Sequence, residues 1–511
     1  MATVTISHAG RQSVAEVAAG ANLLKVLQDA DVSTSFPCNG NHTCGKCRVI
    51  VSGAVSPMDE QERLLLGAAA DSMRLACFTT VLGDCSVTMP RSGGNEQIAV
   101  DYSADDAALE PIYSSGYGVA VDIGTTTVVG YLFRHDSKEP LGVVGEMNKQ
   151  KTFGADVLSR IVYCNEHTVR PLCQIIRRQI AGICGQLCEK AGIALDEIRA
   201  LCVTGNTTML HIFAGLEPRS LAYAPFTPLS LFGDWQEFHL DGMPKTEIYL
   251  PRSISAYVGA DITCSLLASG ICRKTDNVLL VDIGTNGEMG LRTADGLECC
   301  STAAGPAFEG AGISCGSSAC EGAINTVAVA DGHVVYTTIG DGPAQSICGS
   351  GLIDAVAALL QVGEILPKGR FREKGAASVP IGDSGLTLTR NDIAQLLLAK
   401  GAIRAGMDTL LQHCKVEYKD LDHIVFCGGF GSYIDPHSAE LIGLIPPGFA
   451  CKTIAIGNAA GTGASRILQS KQLEREAMGI ATKAHAVELS TDPLFKPNYV
   501  KAMRFPEQSA E

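Results

Sequence analysis

Two segments of this chain repeat one pattern, in which an apolar strand ends in Asp-Ile-Gly-Thr and a second apolar strand follows. They occupy residues 117–133 and 277–291, so that Asp122 and Asp282 lie 160 positions apart. A single segment of this kind is often an ordinary hairpin, but two in one chain, each after a buried strand, indicate an internal duplication. The repeat therefore predicts an α/β region built from two related lobes.

The turn that follows each aspartate has the residues that phosphate binding requires. Glycine and threonine in a tight turn offer backbone N–H groups and hydroxyls to phosphate oxygens, and an aspartate at the strand end can position Mg²⁺, directly or through water. We therefore predict that Asp122 and Asp282 position Mg²⁺. The predicted phosphate-binding residues are Gly124, Thr125, Thr126 and Thr127 in the first turn and Gly284, Thr285 and Asn286 in the second.

Two later strands also end in glycine-rich sequences. Residues 201–210 read LCVTGNTTML, and residues 424–435 read IVFCGGFGSYID. Glycine allows the backbone to approach a base or ribose closely. The residues predicted to bind nucleotide in these two segments are Thr204, Gly205, Asn206, Gly428 and Gly429.

Together these motifs resemble the phosphate, connecting and adenosine motifs of the superfamily of acetate and sugar kinases, Hsp70 and actin. The resemblance spans most of residues 116–470. It implies a duplicated, ribonuclease-H-like ATPase of two lobes, with ATP as its nucleotide. A helix that begins after Gly457 in the sequence GNAAG would close the nucleotide cleft.

Four cysteines near the start of the chain have the spacing of a metal site. Cys38, Cys44 and Cys47 lie within PCNGNHTCGKC, and Cys77 follows after 29 intervening residues. This spacing is close to the plant-type arrangement in which four thiolates hold two irons. The order strand, strand, helix, cysteine loop, strand, helix, cysteine strand resembles the β-grasp 2Fe-2S ferredoxins, with one extra residue between the first two cysteines, as in adrenodoxin-like ferredoxins. The resemblance implies a 2Fe-2S cluster on these four thiolates.

Two alternatives to this ligand set stay open at the level of sequence. Four thiolates also suit zinc, although zinc sites usually pair two close cysteine doublets. Cys85 could replace Cys77, but its strand context favours packing beneath a sheet.

Cys184 and Cys188 lie one helical turn apart on an apolar helix face, where core packing is favoured over a metal pair.

The sequence divides into five predicted parts. A linker rich in Ser, Gly and acidic residues follows the cysteine region, and we expect it to be a tether; the alternative is that Ile98, Val100 and Tyr113 pin it to the next domain. The predicted parts are the 2Fe-2S domain 1–90, the linker 91–115, ATPase lobe I 116–275, lobe II 276–470, and a C-terminal helix and tail 471–511.

Composition excludes some classes of partner. The chain of 511 residues has 40 basic and 54 acidic residues, a net charge of −14, which argues against nucleic acid or an acidic membrane as the main target. No apolar run approaches the roughly 18 residues of a membrane-spanning helix, and the N-terminus lacks a signal-peptide pattern. We therefore expect a cytoplasmic protein whose 20 cysteines are reduced thiols and cluster ligands.

A ferredoxin-like domain joined to an ATPase of this superfamily resembles the reductive activators of corrinoid enzymes. The resemblance implies ATP-dependent reduction of an inactive Co(II) corrinoid, on the corrinoid protein of a methyltransferase, to Co(I), with the electron passing through the 2Fe-2S cluster. The implied partners are a corrinoid methyl-carrier protein and an upstream low-potential reductant, such as a ferredoxin or flavodoxin. A homodimer is also implied.

The glycine-rich residues 301–322 and 346–352 form a surface that a flat ligand or a partner could approach closely. We expect Ser314 and Cys315 to lie on the face that meets the corrinoid partner. The alternative is a second set of loops that close over ATP.

Three other functions remain open from the sequence. One is a small-molecule phosphotransferase whose ferredoxin domain senses redox state, and another is an ATP-dependent activator of an iron-sulfur dehydratase. The third is a docking protein that binds nucleotide without turnover.

Overall fold

The computed structural model describes residues 1–8, 11–30, 42, 47–66, 70, 72–89, 108–243 and 245–507. The chain divides into two compact units. The first contains the described residues up to Met89 together with Lys149–Thr168, and the second contains the other described residues. No helix in these ranges is both long enough and apolar enough to cross a membrane.

The strands are β1 Ala2–His8, β2 Arg11–Val17, β3 Arg48–Val55, β4 Arg74–Leu75, β5 Val81–Thr88, β6 Tyr117–Ile123, β7 Thr127–Arg134, β8 Gly142–Met147, β9 Ile198–Gly205, β10 Asp234–Phe238, β11 Thr246–Leu250, β12 Val278–Ile283, β13 Gly287–Thr293, β14 Gly296–Thr302, β15 Ala323–Ala330, β16 His333–Thr338, β17 Ser346–Ile347, β18 Ser378–Pro380, β19 Thr387–Thr389, β20 His423–Cys427, β21 Thr453–Ala455 and β22 His485–Val487. The α-helices are α1 Leu23–Asp29, α2 Glu60–Leu66, α3 Val157–His167, α4 Arg170–Ala191, α5 Thr207–Ala214, α6 Ala260–Ser269, α7 Gly349–Gln361, α8 Arg390–Cys414, α9 Gly428–Gly431, α10 Pro436–Leu441, α11 Ala459–Gln469, α12 Lys471–Lys483 and α13 Phe495–Ala502.

The first unit is built on a mixed sheet with the strand order β2-β1-β5-β3-β4. β1 pairs antiparallel with β2, so the two strands form an N-terminal hairpin, and β1 pairs parallel with β5. Leu23 and Leu27 of α1 are fully buried against this sheet, together with Val49, Leu75 and Val87. The alternation of apolar and polar residues in these short strands is therefore the signal that places the core on one face.

Helix α2 starts later than its sequence predicts. Ser56 followed by Pro57 is a pattern that predicts a helix start capped by Ser56, but the Ser56 hydroxyl accepts a hydrogen bond from the Thr80 N–H at 3.0 Å. The helix begins at Glu60 instead, where the Asp59 carboxylate accepts the Glu62 N–H at 2.7 Å. The predicted cap was wrong because a neighbouring strand uses the serine hydroxyl, and an aspartate in the same segment serves as the cap.

The sheets of the second unit include two six-stranded ones that share an arrangement of five strands, β11-β9-β6-β7-β8 and β21-β20-β12-β13-β14. Their strand orders are β10-β11-β9-β6-β7-β8 and β21-β20-β12-β13-β14-β22. In each sheet the central aspartate-ended strand pairs antiparallel with the next strand of its hairpin and parallel with a later strand, β9 or β20. The duplication predicted from the sequence is therefore present in the sheets.

Helix α11 packs tightly on α6. A Cβ built on Gly463 would lie 2.1 Å from the backbone oxygen of Cys264, so the two helices meet backbone to backbone. Asn458 caps α11, with its Oδ1 accepting the Gly461 N–H at 2.9 Å. The predicted small-residue helix after Gly457 therefore exists, and its small residues are needed for this close packing.

The described end of the predicted linker, residues 108–115, lies along the second unit. Tyr113 is buried, and its hydroxyl donates to the backbone oxygen of Phe133 at 3.3 Å. In this stretch Tyr113 supplies an apolar anchor, which agrees with the pinned alternative. Ile98 and Val100 lie outside the described residues.

The C-terminal segment returns to the second unit. The sequence pattern predicts a charged amphipathic helix over 472–484 and a short strand over 485–490. The helix is α12, and the strand is the shorter β22, which pairs parallel with β14. Asn498 of α13 donates through Nδ2 to Thr409 Oγ1 of α8 at 3.1 Å. The tail aromatic residue Phe505 is buried, so this segment docks on the chain's own surface, as its spaced aromatic residues suggested.

Candidate functional site

The two hairpin aspartates lie at equivalent points of the two sheets. Asp122 is the register partner of Thr204 on β9, and Asp282 is the register partner of Cys427 on β20. The glycine-rich sequences that follow β9 and β20 therefore emerge beside the two aspartates. In each of the two sheets, the carboxyl ends of the parallel strands meet at one edge. The fold therefore places motifs side by side that are far apart in the sequence.

The acidic side chains of this region lie in a buried environment. Burial raises the pKa of Asp122 to about 7, while a hydrogen bond from Asn458 lowers it and the Asp282 charge raises it. Burial raises the pKa of Asp282 to about 6. Burial and the charges of Asp282 and Asp122 raise the pKa of Asp261, in the first turn of α6, to about 8. A cation binds strongly where carboxylates repel one another in a site with little water.

A fourth acid, Glu288, adds to this group. Its pKa is raised well above its ordinary range by burial first and then by the charges of Asp261 and Asp282. Ser301 Oγ donates to Glu288 Oε1 at 3.3 Å. Among the described residues, no three acidic, histidine or cysteine side chains are close enough to hold a metal ion directly. Carboxyl oxygens are the ligand type that Mg²⁺ prefers, and Mg²⁺ commonly keeps several water ligands.

The backbone of Gly428 lies close to Asp282. Its φ is +91°, and a Cβ built on it would lie 2.2 Å from Asp282 Oδ1. The neighbouring Gly429 has open space at its Cβ position. Gly205 also has a positive φ, and a Cβ there would lie 2.7 Å from the backbone oxygen of Ile123. Glycine is required at Gly428 and Gly205 by space and backbone conformation.

The hairpin turns differ in length by one residue and are held by different hydrogen bonds. In the first hairpin, four residues separate Ile123 from its register partner Val128. In the second hairpin, three residues separate Ile283 from its register partner Gly287. Asn206 Nδ2 donates to Thr125 Oγ1 at 3.2 Å, which ties the connecting motif to the first turn. In the second turn the Gly284 N–H donates to the backbone oxygen of Asn286 at 3.0 Å.

Glu309 contacts both turns. Thr126 Oγ1 donates to Glu309 Oε2 at 2.8 Å, and Thr285 Oγ1 donates to Glu309 Oε1 at 2.6 Å. Glu309 ends a short 3₁₀ helix, Pro306–Glu309, in the glycine-rich stretch after β14. One carboxylate therefore joins the threonines of the two predicted phosphate turns.

Ser314 and Cys315 lie further along the same stretch. Ser314 is exposed, and its N–H donates to Asp392 Oδ1 at 2.7 Å while its hydroxyl donates to Asp392 Oδ2. The Cys315 thiol lies 3.5 Å from the backbone oxygen of Thr387. Buried Asp392 thus fixes this loop to the start of α8, so Ser314 has a structural partner as well as an exposed surface.

The described part of the cysteine site brings two thiols together. Cys47 Sγ and Cys77 Sγ are 3.3 Å apart, well beyond the roughly 2.05 Å of a disulfide. Two thiolates on one tetrahedral metal, with metal–sulfur bonds of about 2.3 Å, lie about 3.8 Å apart. Both thiols are buried, and they lie somewhat closer together than that spacing. Cys38 and Cys44 lie outside the described residues.

A buried ion pair holds the chain that leads to Cys77. Arg74 Nε and Nη2 donate to the two Glu62 oxygens, each at 2.9 Å, and the Leu75 N–H donates to Glu62 Oε1 at 2.7 Å. Asn22 Nδ2 donates to the backbone oxygen of Cys77 at 2.8 Å. These bonds fix the Cys77 backbone from two sides, which a cluster ligand requires.

The competing cysteines have the character of core residues. Cys85 is buried on β5, and burial followed by the Asp84 charge raises its pKa. Burial raises the pKa of Cys184 to about 12, with the neighbouring Cys188 adding to the effect. A raised thiol pKa opposes the thiolate form that a metal needs. The interpretation of Cys184 and Cys188 as packing residues is therefore supported.

Sequence reasoning missed Asp261, Glu288 and Glu309. Each had a signal: Asp261 follows Gly259 at a helix start, and Glu288 is a charged residue inside an apolar hairpin strand. Glu309 is one of two acids, with Glu321, in the glycine-rich residues 301–322. The sequence alone does not link these three residues to the hairpins; the fold places them there.

Comparison with known proteins identifies the family. Residues 276–511 match the C-terminal domain of RACo, the ASKHA domain; residues 117–274 match the RACo middle region; and residues 6–82 match the 2Fe-2S iron-sulfur cluster binding domain. The chain is 35% identical over 437 residues to the corrinoid activation enzyme RamQ of Eubacterium limosum, covering 80% of this chain and 72% of that protein. The chain belongs to the reductive activators of corrinoid proteins.

Two further relatives of this activator agree. The [Co(II) methylated amine-specific corrinoid protein] reductase of Methanosarcina barkeri is 29% identical over 415 residues, covering 73% of this chain and 74% of that protein. A solved structure of a reductive activator for a corrinoid, iron-sulfur protein aligns with a TM-score of 0.72 at 28% identity, covering 99% of both chains. The predicted family, the ferredoxin-like domain and the ASKHA-type nucleotide domain are confirmed.

Proposed function

We propose that this activator reduces the Co(II) corrinoid of a methyl-carrier protein to Co(I) in a reaction driven by ATP. One electron passes from an external low-potential reductant to the cobalt of the substrate, while ATP and water become ADP and phosphate. The observation that carries the proposal is the combination, in one chain, of the paired thiols Cys47 and Cys77 with the duplicated hairpins that end in Asp122 and Asp282.

The need for ATP follows from reduction potentials. A plant-type cluster has a potential near roughly −400 mV. Each additional ~60 mV against which one electron moves costs about 1.4 kcal/mol. If the cobalt has a more negative potential than the cluster, only a small fraction of it is therefore reduced to Co(I) without a second source of free energy. Nucleotide binding and hydrolysis supply that energy by changing how the two lobes close and how the protein grips its partner.

The cysteines form the proposed cluster site. Cys38, Cys44, Cys47 and Cys77 would hold a 2Fe-2S cluster, which supplies storage for a single electron when bound. The fixed backbone around Cys77 and the short separation of its thiol from that of Cys47 support this assignment. Zinc on the same thiolates would store no electron, so a visible absorption spectrum separates the two metals.

The hairpins form the proposed nucleotide site. Asp122 and Asp282 position Mg²⁺. Asp261 lies close enough to both for their charges to raise its pKa. The proposed phosphate and nucleoside contacts are those of Gly124, Thr125, Thr126, Thr127, Thr204, Gly205, Asn206, Gly284, Thr285, Asn286, Gly428 and Gly429. The absence of a side chain at Gly428 beside Asp282 supports this site, because a Cβ there would occupy the space next to the carboxylate.

The partner assignments go beyond the family match. We place the corrinoid protein against the exposed face near Ser314 and Cys315, and we take a ferredoxin or flavodoxin as the upstream reductant. A homodimer and a cytoplasmic location stay predictions. The loop at Ser314 is well suited to a docking role because Asp392 holds its backbone while leaving its surface exposed.

The rate of ATP hydrolysis with and without a Co(II) corrinoid protein tests the function. Corrinoid activation predicts ATP turnover that changes when the corrinoid protein is added. A phosphotransferase would instead yield a phosphorylated product in proportion to ATP consumed, and a docking protein would bind ATP without turnover. A dehydratase activator would respond to an iron-sulfur dehydratase rather than to the corrinoid protein.

A further inference from the structure

The Glu309 carboxylate spans the two phosphate turns. It accepts one hydrogen bond from Thr126 of the first lobe at 2.8 Å and one from Thr285 of the second lobe at 2.6 Å. Both distances are typical of hydroxyl donors to a carboxylate. The side chain thus links two hairpins that come from different sheets.

These hydrogen bonds compete with phosphate binding. A threonine hydroxyl has a single proton, so it cannot donate to Glu309 and to a phosphate oxygen at the same time. A carboxylate and a phosphate also repel each other, most strongly where little water screens them. Nucleotide phosphates that take the hydroxyls of Thr126 and Thr285 must therefore displace Glu309.

The segment that carries Glu309 also contacts the adenosine motif. The Phe308 ring is fully buried and stacks on the Phe430 ring of α9, with centroids 5.6 Å apart and planes 12° from parallel. The start of α7 lies against the same segment, since a Cβ built on Gly349 would lie 1.7 Å from the Phe308 backbone oxygen. Movement of Glu309 is therefore coupled to its surroundings by close packing.

The same segment is packed against the loop that follows it. A Cβ on Gly310 would lie 2.3 Å from the Ser317 backbone oxygen, and a Cβ on Gly316 would lie 2.1 Å from the Gly310 backbone oxygen. The two stretches touch backbone to backbone, with no side chain between them to absorb a shift. Residues 310–317 include Ser314, on the proposed partner face.

We infer that Glu309 is a positioning residue that couples phosphate binding at the two turns to the loop 310–317. It fastens the turns to each other through Thr126 and Thr285, and ATP phosphates release it and shift the loop. The inference rests on the proposed function, because it takes these turns to be the ATP site. It adds a route by which ATP changes the surface that meets the corrinoid partner.

Glu309 variants of the full chain test the competition. We expect Mg²⁺-ATP to bind Glu309→Ala about tenfold more tightly than wild type, because no hydrogen bonds to Glu309 need to break. Glu309→Gln keeps one acceptor oxygen and loses the charge, so its Kd should lie between the two. Isothermal titration calorimetry measures this order, and the KM for ATP hydrolysis should fall while kcat changes by less than about threefold.

The matched control is Glu321→Gln, an exposed glutamate of the same lobe, whose Kd should equal that of wild type. Unchanged or weaker ATP binding by both Glu309 variants would overturn the inference. So would a kcat loss of about 100-fold at unchanged Kd, which would place Glu309 in the chemical step. If ATP fails to bind the wild-type chain, the proposed function itself fails, which is a distinct result.

Hydrogen exchange of the wild-type chain tests the coupling. Binding of a non-hydrolysable ATP analogue should change the exchange of the amides at 310–317, whereas in Glu309→Ala the exchange should be altered already and should respond little to the analogue. Equal responses in the two proteins, or no response in wild type, would show that the loop does not follow Glu309.

Discussion

The backbone of Gly428 lies against the carboxylate of Asp282, so that a Cβ on Gly428 would come within 2.2 Å of Asp282 Oδ1. Its φ of +91° is also one that L side chains rarely adopt. We expect Gly428→Ala to weaken ATP binding at least tenfold and to lower the free energy of unfolding of the nucleotide unit by about 2–4 kcal/mol, because the carboxylate must move and the backbone is strained. Calorimetric titration and thermal unfolding measure the two effects.

The adjacent Gly429 provides a matched control for this substitution. A Cβ there has open space, so Gly429→Ala should change the free energy of unfolding by less than about 1 kcal/mol. Equal destabilisation by the two variants would show that the contact with Asp282 does not set the requirement for glycine.

The close packing of α11 on α6 gives a second prediction. Gly463→Ala would place a methyl group 2.1 Å from the Cys264 backbone oxygen and force α11 away from α6. We expect a loss of about 3 kcal/mol or more in the free energy of unfolding. Gly479→Ala on α12 meets open space and should instead stabilise the protein by up to about 1 kcal/mol through helix propensity. Thermal unfolding should separate the two variants in opposite directions.

The raised pKa of Asp122 predicts a pH dependence. Between the ordinary value of 3.8 and the folded value of about 7, the folded chain retains a proton that the unfolded chain has released. Stability must therefore fall as pH rises through this window, by up to about 4 kcal/mol from this group. Asp282, with a pKa of about 6, contributes in the same direction.

Asp122→Asn removes one titrating group and should reduce this dependence, with the remainder coming from the other acids of the site. Denaturant unfolding at pH 5 and pH 8 measures the slope, with Mg²⁺ and nucleotide left out. Added Mg²⁺-ATP should stabilise the wild-type chain more at pH 8 than at pH 5, because a cation favours the ionised carboxyl. An unchanged slope in Asp122→Asn would show that this carboxyl is not the group that titrates.

The cysteine assignments give a fourth prediction. Cys77→Ala should abolish the visible absorption of a 2Fe-2S cluster in the purified chain, because the cluster loses one of its four thiolates. Cys85→Ala removes a buried thiol from β5 and should keep that absorption, at a cost of about 1 kcal/mol in stability. Loss of absorption in Cys85→Ala together with its retention in Cys77→Ala would reverse the ligand assignment.

Sequence patterns were sufficient for the parts of the molecule that repeat or that carry local signals. The two aspartate-ended hairpins gave the duplicated sheets, and the cysteine spacing gave the ferredoxin-like domain. The cap of α2 was misplaced because the Ser56 hydroxyl bonds to Thr80, a residue 24 positions away. Competition of this kind between local and distant partners is set by tertiary structure.

The missed residues share a physical reason. Asp261 belongs to the site because α6 begins beside Asn206, and Glu309 belongs to it because a short 3₁₀ turn carries it to both hairpins. Neither residue lies in a repeated motif, so their roles depend on packing between lobes. By contrast, the glycine pair after a buried strand is itself a local signal; the structure shows the Gly428 backbone against Asp282, and its contact with a nucleotide stays a prediction.

The central claim is that ATP drives an electron onto corrinoid cobalt through this chain. The most direct test is the absorption of Co(I) under anaerobic conditions, with a Co(II) corrinoid protein, a low-potential reductant and the activator, measured with and without ATP. We predict that Co(I) accumulates with wild-type protein and ATP, and that it fails to accumulate without ATP or with Cys77→Ala. Equal Co(I) formation under either of those two conditions would contradict the account.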